Sequence, residues 1–158
     1  MKRIIGAKFH SIRRVLDMLC FNLGNEVKDD EGHTYAEYAL HIQTSWRFVK
    51  DEIILLASRD IYLPQDEALD NGDYDFDEQS TQKEITATSS IFDAAMHDFE
   101  KYFKNATVKS VDISPLGYLH IDFTNGDYFE TFTPSARKCE EWRFLPPGKE
   151  EHLVIFDV

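Results

Sequence analysis

Cysteine is scarce in this chain. Two thiols, Cys20 and Cys139, lie far apart in 158 residues, with no Cys-x-x-Cys pair and no set of histidines beside either. That spacing excludes a disulfide framework and a zinc knuckle, and the expectation is two reduced, packed thiols. Glycine is sparse as well, at seven residues mostly in evident turns. No Gly-x-Ser-x-Gly elbow and no glycine-rich phosphate loop occurs, so acyl-transfer and phosphate chemistry have no visible seat. The six histidines, at 10, 33, 41, 97, 120 and 152, show neither His-x-x-x-His nor His-Glu-x-x-His spacing, and metal catalysis is not expected. No window approaches the roughly 20 apolar residues of a membrane span. The start, MKRIIGAKFHSIRRVLDMLCF, is broken by charge and does not read as a signal peptide; a cytoplasmic protein is expected. Positive charge is short: 17 Lys and Arg stand against 29 Asp and Glu, a net charge of −12. This disfavours nucleic acid and anionic membrane as partners and favours a basic protein, although the same balance serves solubility alone.

What the chain does have is bulk for a core. Twelve Phe, seven Tyr and two Trp in a chain of common single-domain length are enough to dispense with staples. From Glu37 to Phe48 the sequence alternates, with Tyr38, Leu40, Ile42, Trp46 and Phe48 on one side and Ala39, His41, Gln43 and Arg47 on the other, which predicts one half-buried strand. The run Ile53–Ser58 predicts a strand covered on both faces that forms a hairpin with it. Val15–Leu23 reads as strand, closed by a turn at Asn22-Leu23-Gly24-Asn25. Residues 64–78, PQDEALDNGDYDFDE, form an acidic loop dividing two β-rich halves.

Ser90 with Asp93 makes a capping box, and Phe92, Ala95, Met96, Phe99, Phe103 and Ala106 recur at helical spacing, predicting a helix over 90–105. Beyond it, Val108–Ile113, Tyr118–Thr124 and Tyr128–Thr133 read as an antiparallel meander turning at Ser114-Pro115-Leu116-Gly117 and Asn125-Gly126, with a last strand over His152–Asp157. The expected architecture is a single α+β domain over 1–158. A mostly antiparallel sheet of six to eight strands carries one main helix. Leu40-His41-Ile42-Gln43 against Leu119-His120-Ile121-Asp122, and Trp46-Arg47-Phe48 against Trp142-Arg143-Phe144, suggest duplicated β halves.

Three groups of residues bear on function. His120 and Asp122 share a strand face and allow a general-base pair, the basis for a small-hydrolase reading in which His41 is the other candidate. Asp73, Asp75 and Asp77 with Glu84 match several calcium-loop positions, but Glu78 stands where that loop needs glycine; a small ligand- or calcium-binding regulatory module is therefore a second alternative. Trp46-Arg47 and Glu141-Trp142-Arg143 have the composition of interface hot spots, though a tryptophan ending an alternating strand more often belongs to the core.

Tyr38-Ala39-Leu40-His41-Ile42-Gln43-x-x-Trp46-Arg47, Ser58-Arg59-Asp60-x-Tyr62-x-Pro64 and the acidic Phe76-Asp77 loop resemble a family of small bacterial proteins. The ending, Phe123-x-Asn125-Gly126-x-x-Phe129-Glu130-x-Phe132 and then Glu141-Trp142-Arg143-Phe144, is similar to that of immunity proteins of toxin-immunity systems, including contact-dependent growth inhibition. The resemblance implies a cytoplasmic toxin inhibitor with no chemistry, catalytic residues or cofactor of its own. Charge complementarity then points to Asp66, Glu67, Asp70, Asp73, Asp75, Asp77 and Glu78, anchored by Tyr74 and Phe76, as the surface that meets a basic toxin site.

Overall fold

The computed structural model describes residues 1–79, 85–133, 136, 139–148 and 152–156. Among these lie ten strands: β1 (Phe9–Val15), β2 (Met18–Lys28), β3 (Thr34–Ile42), β4 (Ser45–Lys50), β5 (Ile53–Ala57), β6 (Val108–Ile113), β7 (Leu119–Phe123), β8 (Tyr128–Phe132), β9 (Glu140–Leu145) and β10 (Leu153–Phe156). A short helix, α1 (Phe76–Gln79), precedes a long one, α2 (Ile91–Phe103). The α+β class holds, but the strands form two antiparallel sheets rather than one, ordered β1-β2-β3-β9-β10 and β5-β4-β8-β7-β6. The sheets face each other across an aromatic core. Phe21 of β2 meets Phe48, Phe123 and Phe129 at ring-centroid distances of 5.3, 6.3 and 5.1 Å. Two strands are missed from the sequence: β1, where an irregularity between Phe9 and Ser11 breaks the alternation that would betray it, and β9, where a buried Glu141 beside Trp142 does the same.

The segment 37–48 is two strands, not one. Gln43 and Thr44 both donate their backbone N–H to the Glu141 carbonyl, and at this corner the chain passes from the first sheet to the second. Both inner faces line the same core, so a two-residue link keeps the parity of Leu40, Ile42, Trp46 and Phe48, all buried. Alternation survives where the strand does not. The β4–β5 hairpin is present, turning at Asp51 and Glu52, both at positive φ. However, β5 is an edge strand, and Ile53 and Ile54 are 66% and 53% exposed, contrary to a strand covered on both faces. The predicted turn at Asn22–Asn25 is instead an irregularity inside β2, centred on Gly24 at φ +86°. Cys20 is half-buried but Cys139 is exposed, so only one of the two thiols is packed.

The two halves obey a pseudo-twofold relation. Exchanging β1–β5 for β6–β10 maps the strand order onto itself. The irregularity between Phe9 and Ser11 recurs between Val108 and Ser110. The antiparallel bridge Lys8–Thr107 joins equivalent positions. It is flanked by reciprocal bonds from Phe9 N–H to Ala106 O and from Val108 N–H to Ala7 O, each 2.9 Å, as an axis passing between them requires. The Trp-Arg-Phe echo is part of this relation, on β4 and β9. The Leu-His-Ile echo is not: β3 corresponds to β8, and β7 to β2, so that likeness reflects strand alternation alone.

The helix predicted over 90–105 spans Ile91–Phe103, and the Ser90 hydroxyl caps it by accepting from Asp93 N–H at 3.1 Å. Phe92, Phe99 and Phe103 enter the core. The helix packs against the edge strands β1 and β5, closing one side of the sandwich. On the β1 side the Glu100 carboxylate accepts the Ile12 N–H at 3.2 Å, supplying a partner to an edge amide. The other half of the capping box is absent because the Asp93 carboxylate turns to Arg14.

Candidate functional site

The acidic segment is positioned from beneath. The Phe76 ring lies 4.6 Å from that of Tyr62 and is capped by the Arg14 guanidinium at 5.8 Å. Arg14 also donates to the Phe76 carbonyl at 3.4 Å and to both oxygens of Asp93, at 2.9 and 2.6 Å. Tyr74 is half-buried, and its phenol, enclosed and without a hydrogen-bond partner among the described residues, is held above the usual tyrosine range by burial and then by Asp93. Tyr74 and Phe76 therefore face the chain's own body. Asp66, Glu67, Asp70, Asp73, Asp75 and Asp77 are exposed. Short local bonds shape the backbone between them: Asp66 accepts from Ala68 N–H, Asn71 from Asp73 N–H, and Asp75 from Asp77 N–H. The side chain of Glu78, and Glu84 entirely, lie outside the described residues. Among those described, no three His, Cys, Asp or Glu side chains converge as a metal site would need, and Asp73, Asp75 and Asp77 are not brought together.

His120 and Asp122 do meet. They belong to a polar ladder across the outer face of the second sheet, running Ser110, Asp122, His120, Glu130, Arg47. Ser110 Oγ donates to Asp122 at 2.5 Å, and His120 Nε2 lies 3.2 Å from the other Asp122 oxygen. His120 Nδ1 lies 3.8 Å from Glu130, and Glu130 accepts from Arg47 Nε at 2.6 Å. The Ser110 hydroxyl, first, and the His120 imidazole hold the Asp122 carboxyl below the usual carboxylate range. An open depression of about 220 Å³ adjoins the ladder, lined in part by Asp112, Tyr118 and Phe132. The serine hydroxyl donates to the aspartate and not to the histidine, unlike a Ser-His pair in which the imidazole takes the hydroxyl proton.

The same row on the first sheet, by the pseudo-twofold relation, is Arg13, Cys20, His41, Arg143, Val154, against Asp112, His120, Glu130, Arg47, Ala57 on the second. The two outer faces differ in charge at two of these positions, where Arg13 stands against Asp112 and His41 against Glu130, and they share an arginine at Arg143 and Arg47. Burial, then the Arg143 charge, pushes His41 below the ordinary histidine value, which does not suit it to gain a proton near neutral pH. Trp46 and Trp142 are core residues, with Trp142 Nε1 donating to Gly117 O at 2.8 Å. Arg47 and Arg143 pair with Glu130 and Glu140.

Arg14 and Ser110 carry no signal in the sequence, and Glu130 enters there only as part of the Phe129-Glu130-x-Phe132 ending. Arg14 and Asp93 stand 79 positions apart, and Arg47 and Glu130 83, separations that leave no local pattern. Among the described residues no helix is long and apolar enough to cross a membrane. Comparison with protein-family models, with curated proteins and with solved structures finds no match to this chain.

Proposed function

We propose that this protein is a cytoplasmic immunity protein that binds a cognate bacterial toxin domain and blocks it, using the exposed carboxylates of residues 66–77 to cover a basic active site. The supporting observation is the clasp of Arg14, Phe76 and Asp93, which holds the acidic segment against the body of the protein. Charges on a positioned backbone lose less conformational freedom on binding than those on a loose tail, and they steer a basic partner to the right patch. Tyr74 and Phe76 then serve as internal anchors, and the contacts fall to Asp66, Glu67, Asp70, Asp73, Asp75 and Asp77. The hydrolase reading has its His120–Asp122 contact, but it lacks a hydroxyl bonded to the histidine.

The test is co-expression of the full chain with the toxin domain encoded beside its gene. The proposal expects survival and a co-purifying complex whose association slows as salt rises. Replacing Asp73, Asp75 and Asp77 together by Asn should weaken that complex at least about tenfold. Cell death without a complex would reject the immunity reading; a complex indifferent to the triple substitution would reject the acidic segment as its contact.

A further inference from the structure

We propose that the groove between β1 and the C-terminal half of α2 is a binding site for a phosphate dianion, free or carried as a small monoester. The groove, of about 350 Å³, is lined by Phe9 and His10 from β1 and by His97, Glu100, Lys101 and Lys104 from the helix and its C-cap. In a chain of net charge −12, it gathers two ammonium groups and two imidazoles around one carboxylate. That carboxylate has another role, since Glu100 Oε1 accepts the Ile12 edge amide. Arg14, Arg47 and Arg143 each have a carboxylate partner, whereas Lys101 and Lys104 have none among the described residues. Lysines in a last helical turn answer the helix dipole. The dipole accounts for neither His97, farther back along the helix, nor His10, which comes from a different element.

Donor chemistry selects the ligand class. Ammonium and imidazole groups lining the groove from two elements suit a compact oxyanion that accepts from several directions; His10 Nδ1 lies 3.1 Å from Ser11 Oγ, so its Nε2 is the nitrogen offered to the ligand. A planar carboxylate is matched best by the fork of an arginine, and none lines the groove. A long polyanion would extend from the groove onto the acidic surface around it, whereas a small dianion stays within the groove, where the more distant carboxylates are screened by salt. The site is independent of the toxin-binding surface, because it rests on different residues.

The experiment is a titration of the full protein at constant ionic strength. Inorganic phosphate and, separately, glycerol phosphate are the probes, followed by calorimetry and by the NMR signals of His10 and His97. Saturable binding is expected, weakened at least about tenfold in K101A/K104A, with the remote Lys28→Ala variant unchanged. All three lysines are exposed, and an unaltered melting temperature would confirm that the fold is kept. A tighter ester would assign an esterified ligand; equal or tighter inorganic phosphate would assign the free anion. Absence of saturation with both probes, an equal response to chloride, or a K101A/K104A variant that binds as tightly as K28A would overturn the proposal.

Discussion

Arg14 of β1 and Asp93 of α2 form a two-pronged ion pair, Nε to Oδ1 at 2.9 Å and a terminal nitrogen to Oδ2 at 2.6 Å, with the arginine side chain only 4% exposed. It ties an edge strand, the first turn of the helix and the Phe76 carbonyl into one unit.

Removing one member of this pair should do more damage than removing both. Asp93→Ala leaves a nearly buried guanidinium without its counter-charge and is expected to destabilise the fold by about 3 kcal/mol. Arg14→Met with Asp93→Ala should recover a good part of that loss. Thermal or urea denaturation of the two variants checks the order, and equal stabilities would show that the guanidinium finds water or another partner.

Gly24 and Gly32 both have positive φ, +86° and +87°, but differ in surroundings. A Cβ on Gly24 would sit 2.8 Å from the Glu37 Cβ, while one on Gly32 meets nothing within 4 Å. Gly32→Ala should cost about 1 kcal/mol from backbone strain alone. Gly24→Ala should cost about 3 kcal/mol, because strain and overpacking add. Denaturant midpoints of the two variants give the comparison, which fails if they shift alike.

Acid should weaken the fold in two stages. The folded pKa of His41 lies below its ordinary 6.5 and that of Asp122 below its ordinary 3.8. Each therefore contributes stability that is present above its unfolded value and is lost as pH falls through the folded one. The His41 contribution starts to fall near pH 6.5 and the Asp122 contribution near pH 3.8. Midpoints of urea unfolding from pH 8 to 3 should show both declines. His41→Gln should remove the first and Ser110→Ala should reduce the second; a wild-type profile flat between pH 7 and 5 would refute the His41 stage.

Strands and the helix were readable where their side chains alternate or recur. Leu119, Ile121 and Phe123 point inward, as period-two spacing requires, and Ser90 caps the helix whose Phe92, Phe99 and Phe103 recur at helical spacing. The misreadings share a cause. Alternation reports which side faces the core but not which sheet supplies the partner, so Leu40 to Phe48 passed for one strand. The apolar Ile53 and Ile54 passed for buried because composition does not report that β5 lies at an edge. Of the sites, the His120–Asp122 contact was legible because both residues lie on one short strand; their neighbours Glu130 and Ser110 come from other strands and were not.

By itself, then, the amino-acid order determined the local states and the inward face of most strands, since these follow from short-range sterics and from apolar periodicity. Its composition set the acidic balance and left disulfides without a basis. Only the tertiary structure decided the partition into two sheets, the pseudo-twofold meeting of Lys8 and Thr107, the Arg14–Asp93 clasp and the joining of His10 to His97 across a groove. Each of these depends on contacts between residues far apart in the chain. Such pairings are chosen by the collective packing of both sheets and the helix around one core, and no local window of sequence records that choice.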